Sequence, residues 1–124
     1  MKESKKVAVY VDYSLANIIE YIHTASMLKT IESGSMSDEM RKKIQRGETY
    51  KLSIKQHEYY KELKNCLLHY ECILLFGPTN AKIQFSNILK KNNKDLINKV
   101  ILKNSEELSH DEQLEFVNEF FYIS

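Results

Sequence analysis

Between Arg41 and Lys55 the chain carries six basic residues, Arg41, Lys42, Lys43, Arg46, Lys51 and Lys55, against one acid, Glu48. Guanidinium and ammonium groups neutralise phosphates and release their condensed counterions, so such a run can hold a polyanion such as RNA. Tyr50, Tyr59 and Tyr60 lie close enough in sequence to add stacking faces for unpaired bases. The same residues also read as a solvated loop followed by a helix whose tyrosines face the core. A second candidate is the turn in Leu75–Lys82, LFGPTNAK, between an apolar run and a helical pattern. A helix that starts after a glycine turn exposes unpaired N–H groups and the positive end of its dipole. Gly77, Thr79, Asn80 and Lys82 could therefore surround an anion, or could simply end a strand and cap a helix.

Other chemistry is weaker in this sequence. Asp12 ends the first apolar run, where a carboxylate could help hold a divalent cation. Two-metal hydrolysis needs several converging carboxylates, and the later run Cys72–Phe76 offers none. Asp12 also suits a strand-to-turn position. Cys66, His69 and Cys72 form C-x2-H-x2-C, but a structural zinc site takes four ligands, and a chain reversal should separate Cys72 from the other two. Four histidines (His23, His57, His69, His110) include no H-x3-H pair, and three glycines leave no phosphate-binding loop of the G-x-G-x-x-G or P-loop kind. No metal site, catalytic residue or cofactor is expected.

Composition bounds the scaffold. A chain of 124 residues, 43% hydrophobic and 28% charged, with one proline, is expected to form a single domain, 1–124. No apolar run reaches the roughly 18 residues of a membrane span, and the opening MKESKKVAVYVDYS does not read as a signal peptide. Two cysteines make no disulfide framework, so a reduced, cytoplasmic setting is expected. The net charge of +1 hides a segregation. Opposite the basic stretch stand six acids from Glu106 to Glu119 with no Lys or Arg among them. Such polarity can turn a protein toward a polyanion.

The elements that must position these groups follow from periodicity. Val7–Tyr13, Asn17–His23 and Met27–Glu32 read as three strands of an antiparallel meander. Residues 34–53 read as a long, charged surface loop, with a short helix near Glu39–Ile44. Tyr60, Leu63, Leu67 and Tyr70 recur at helical spacing. Cys72–Phe76 suits a central strand buried on both faces. Thr79 reads as the N-cap of a helix with Ala81, Phe85, Ile88 and Leu89 on its apolar side, ended by Lys90–Asn93. Ile97–Leu102 reads as a last strand, and Ser109 with Glu112 forms a capping box opening a final helix. The order β-β-β-α-β-α-β-α defines an α/β class: a three-layer domain on a mixed five-stranded sheet, ribonuclease-H-like or like a release-factor middle domain.

Several stretches carry a resemblance. VAVYVDYSLANIIEY resembles the opening of the middle domain of eukaryotic and archaeal class-I peptide chain release factors and of Pelota. ILLFGPTNAKIQFSNILKKNN is similar to that domain's strand, glycine turn and helix, and INKVILKNSEELSHDEQLEFVNEFF to its following strand and last helix. Bacterial proteins of a translational-machinery or host-attachment-like group are similar over most of their length. In the release factors a loop after the third strand carries Gly-Gly-Gln, which promotes peptidyl-tRNA hydrolysis. The matching stretch here is Gln45-Arg46-Gly47-Glu48-Thr49, which keeps one glycine and lacks the motif. The resemblance therefore implies the scaffold without the hydrolase, with the ribosome or tRNA as partner. Two other readings stand beside it: a homodimeric interaction module, and a metal-dependent nuclease that uses Asp12.

Overall fold

The computed structural model describes residues 5–33 and 54–123, with Ile54, Lys55 and Ile123 described by their backbone alone. Three strands open the chain: β1 (Lys6–Val11), β2 (Leu15–Tyr21) and β3 (Ala25–Glu32). Then come α1 (Ile54–Leu67), β4 (Cys72–Gly77), α2 (Ala81–Asn92), the single turn α3 (Lys94–Ile97), β5 (Val100–Asn104) and α4 (His110–Ile123). The strands form one mixed sheet in the order β3-β2-β1-β4-β5. β1 pairs antiparallel with β2 and β2 with β3, whereas β1–β4 and β4–β5 are parallel. The expected mixed-sheet architecture is the one observed, with the single turn α3 added to the expected element order.

β1 and β4 are central, and their near-continuous apolar runs divide between two cores. Val7, Val9, Val11, Ile73 and Leu75 point to one face, where Tyr59, Tyr60, Leu63 and Leu67 of α1 and Ala81, Phe85 and Leu89 of α2 cover them. Ala8, Tyr10, Leu74 and Phe76 point to the other face, covered by Val117 and Phe121 of α4. Alternation of side chains along a strand makes this division automatic. Full burial of each large aliphatic side chain contributes about 1.5–3 kcal/mol, so the pair of strands with two buried faces anchors the domain.

β3 departs from simple alternation. Ile18 pairs with Lys29 and Ile19 with Met27, which leaves Leu28 as an extra residue on β3. This bulge changes which residues share a face. Ala25 and Met27 pack in the α4-side core. Beyond the bulge, Thr30 reaches Asn17 on that same face, and Ile31 enters the opposite core.

Local differences from expectation have local causes. The first turn occupies Asp12–Ser14, so that β2 begins at Leu15 rather than at Asn17, because the Asp12 carboxylate accepts from the Ser14 N–H at 2.8 Å and from its hydroxyl at 3.1 Å. Such an Asx turn reverses the chain two residues early. Tyr70 lies beyond the end of α1 yet is buried in the same core. α3 and the later start of β5 replace one longer strand, since the Asn93 side chain caps a helical turn by accepting from the Leu96 N–H at 3.1 Å. The capping box forms as expected: Ser109 N–H donates to Glu112 Oε1 at 3.0 Å, and Glu112 N–H to Ser109 Oγ at 3.2 Å. Hydrogen bonding from Ser109, first its N–H and then its side chain, holds the Glu112 carboxyl below the usual range.

Candidate nucleic-acid interface

Arg41, Lys42, Lys43, Arg46 and Lys51 lie outside the described residues, as do Tyr50 and the short helix expected near Glu39–Ile44. Lys55 falls in the first turn of α1. The basic stretch thus joins β3, an outer strand, to the N-terminal end of α1. That end of α1 is tied to the first hairpin. Gln56 Nε2 donates to the Tyr13 carbonyl at 3.2 Å, and the Tyr59 hydroxyl to the Asp12 carbonyl at 2.8 Å.

The tyrosine stacking faces expected on α1 are not on the surface. Tyr59 and Tyr60 are each 2% exposed. They stand next to one another at 5.2 Å between ring centroids, and Tyr60 stacks on Phe85 at 5.5 Å. The Tyr60 hydroxyl donates to Gln84 Oε1 at 2.6 Å. The reason is the helical period: positions 59, 60, 63 and 67 form the stripe that covers the sheet. Burial, with Tyr60 and Asp12 close by, pushes the Tyr59 phenol well above its ordinary range.

In the glycine turn, α2 begins one residue later than expected, with Asn80 rather than Thr79 at the cap position. The Thr79 hydroxyl accepts from the Ala81 N–H at 3.3 Å. Gly77 has a φ of +145°, and a Cβ there would stand 2.8 Å from the Val11 carbonyl oxygen. Glycine is required on both counts, by backbone conformation and by the close approach of β1. Lys82 is 2% exposed, and its ammonium turns inward to the Gly77 carbonyl at 2.9 Å and the Thr79 carbonyl at 2.7 Å. It therefore closes the turn on itself. Burial pulls its pKa below the ordinary lysine value.

The metal candidates do not converge. Asp12 is engaged in its turn. Cys66 packs against the α1-side core and Cys72 against the α4-side core, so the sheet separates the two thiols, and His69 is exposed. Burial raises the Cys72 pKa, opposed in part by Lys6. Among the described residues no group of three or more His, Cys, Asp or Glu could hold a metal ion.

One feature was missed in the sequence reading. A cleft of about 250 Å³ between α1 and α2 is lined by His57, Tyr60, Lys61, Lys64, Ile88 and Asn92. His57, Lys61 and Lys64 recur at spacings of four and three, which is visible in the sequence. Their meeting with Ile88 and Asn92 is not, because it depends on how two helices pack.

This sheet order, with α1 and α2 on one face and α4 on the other, is a Pelota- and release-factor-like fold. Archaeoglobus fulgidus Pelota is similar with a TM-score of 0.67 at 11% identity, over 95% of this chain and 32% of that one. Dom34 of S. cerevisiae, a translation termination-like factor involved in RNA quality control pathways and interacting with Hbs1, gives 0.62 at 12% identity, over 98% of this chain and 34% of its own. The archaeal translation termination factor aRF1 gives 0.52 at 16% identity, over 96% of this chain and 39% of its own. The chain thus spans about a third of the length of the structures it matches. No protein-family model matches the sequence, and no curated protein matches it significantly. Among the described residues no helix is long and apolar enough to cross a membrane.

Proposed function

We propose that this domain is a non-catalytic, translation-related module that works in the cytoplasm and contacts ribosomal or transfer RNA through Arg41, Lys42, Lys43, Arg46, Lys51 and Lys55. The observation that carries this reading is the fold, which is similar to those of Pelota, Dom34 and aRF1 over nearly the whole chain. The charge of the stretch supports it, because six cations against one acid favour a phosphate backbone. Without Gly-Gly-Gln in that stretch, binding rather than hydrolysis is the remaining role for it. Co-sedimentation of the tagged full chain with ribosomes at two salt concentrations tests the reading. Six phosphate contacts to single-stranded RNA would weaken binding by roughly three-hundredfold between about 50 and 200 mM salt. The variant Arg41→Glu/Lys42→Glu/Lys43→Glu/Arg46→Glu should not co-sediment. Salt-independent association, or none, would refute the proposal.

A second reading is self-association along β5, an outer strand whose Ile101 and Leu102 are exposed. A monomer mass in light scattering would remove it.

A further inference from the structure

We infer that the cleft between α1 and α2 is a second phosphate-holding site, which seats one nucleotide of a single-stranded RNA. The inference rests on the RNA-binding reading above and extends it to residues outside the basic stretch. His57, Lys61 and Lys64 occupy one flank of α1, and Ile88 and Asn92, four residues apart on α2, form the facing wall. Tyr60, almost wholly buried and fixed by its bond to Gln84 and its stack on Phe85, closes the inner side. Among the described residues no carboxylate lines the cleft. The acids of α1, Glu58 and Glu62, stand on its other flank, and Glu62 pairs with Lys29 at 3.8 Å. α2 contains no acid and ends in Lys90 and Lys91.

Lys61 and Lys64, three residues apart on a helix, repel one another. Neither has a carboxylate partner among the described residues. An anion seated between them relieves that repulsion. The lining also selects the anion's carrier. The amines suit a phosphate, the Asn92 amide and the His57 ring offer hydrogen bonds to a sugar or base, and Ile88 gives an apolar contact. A volume of about 250 Å³ admits one nucleotide and not a duplex. Continuity favours a strand over a free nucleotide, since the basic stretch runs into the first turn of α1, the helix that carries His57, Lys61 and Lys64.

The test uses the full chain and three probes: inorganic phosphate, uridine monophosphate and a labelled octauridylate. Octauridylate should shift the amide resonances of Lys61, Lys64, Ile88 and Asn92. The variant Lys61→Gln/Lys64→Gln, which alters one exposed and one half-buried side chain and should melt as the parent does, should bind octauridylate about tenfold more weakly near 150 mM salt. Its plot of log K against log salt should be shallower by about 1.4, for two phosphates at roughly 0.7 each. Unchanged affinity and slope in this variant, with binding lost in the Arg41–Arg46 charge-reversal variant, would overturn the cleft and leave the basic stretch standing. The reverse pattern would sustain the cleft and overturn the basic stretch. If uridine monophosphate or phosphate shifts those amides and octauridylate does not, the assignment to a strand is wrong. If none of the three probes binds the parent chain, the cleft reading falls, while the basic stretch is judged by its own co-sedimentation with ribosomes.

Discussion

The two faces of the sheet are covered in different ways. On the face carrying α1 and α2, aliphatic side chains and interlocked tyrosines fill a large core, and lysines crown the outside. On the face carrying α4, the core is smaller and aromatic, with Phe76 and Phe116 stacked at 4.6 Å, and polar side chains attach the helix. Asn17 Nδ2 donates to Gln113 Oε1 at 3.0 Å, Thr30 Oγ1 to Asn17 Oδ1 at 2.7 Å, and Gln113 Nε2 to the Leu108 carbonyl at 3.0 Å. Further along, Asn118 Oδ1 accepts from the Ala25 N–H at 2.6 Å. Outside, α4 shows Asp111, Glu112, Glu115 and Glu119, all exposed. Apolar burial tolerates sliding, whereas buried hydrogen bonds fix one orientation. The α1–α2 face therefore supplies most of the stability, and the α4 face specifies how its helix sits.

The largest expected effect tests the first half of that contrast. Phe85→Ala, at a fully buried position against Tyr60, should cost about 3–5 kcal/mol in urea unfolding. A loss below about 1 kcal/mol would show that the two-helix core is not the stabilising one. Gly77→Ala, at the joint between β4 and β1, should cost about 2–3 kcal/mol, because both the positive φ and the contact with the Val11 carbonyl oppose a Cβ. Gln113→Ala should cost about 1–3 kcal/mol by leaving the buried Asn17 amide without its acceptor. Its amide hydrogen exchange should accelerate in α4 and not in α1; uniform acceleration would mean that the two faces unfold as one.

The smallest effect is alkaline and belongs to the two-helix face. Burial, chiefly, raises the phenols of Tyr59 and of Tyr70, the latter also donating to Glu20 Oε2 at 2.5 Å. The unfolded chain ionises them near pH 10, so their stabilisation is complete below that pH and falls as pH rises beyond it. Lys82 acts in the opposite sense. Its folded pKa is depressed, so the unfolded chain holds the proton longer and stability rises as pH climbs toward the ordinary lysine value. With two phenols against one amine, stability should fall above about pH 10. Tyr59→Phe or Tyr70→Phe should flatten that fall, and Lys82→Met should steepen it, in thermal melts taken at successive pH values.

Much of the scaffold was legible because burial writes itself as periodicity. Val7 to Val11 and Cys72 to Phe76 announced central strands, and Ser109 with Glu112 announced a helix start. Where short-range hydrogen bonds decide, periodicity was silent. Asp12 turns the chain early, and Asn93 converts part of an apolar run into a helical turn. The site was harder to read. Tyr59 and Tyr60 read in sequence either as stacking faces or as core and are committed to the core, and Lys82, which read either as an anion ligand or as part of a plain turn, is bound to carbonyls. The α1–α2 cleft was legible only in half, as a basic stripe on one helix awaiting its opposite wall.

The extra residue at Leu28 has a consequence for how this domain meets others. A strand that changes phase midway cannot slide along its neighbour, because any shift that satisfies one half misplaces the other. β3 is thereby locked in position, and a foreign strand seeking to lengthen the sheet on that side meets a kinked border instead of a straight one. Growth of the sheet into fibrous assemblies is discouraged at that end, and the opposite border, along β5, is where such vigilance is needed.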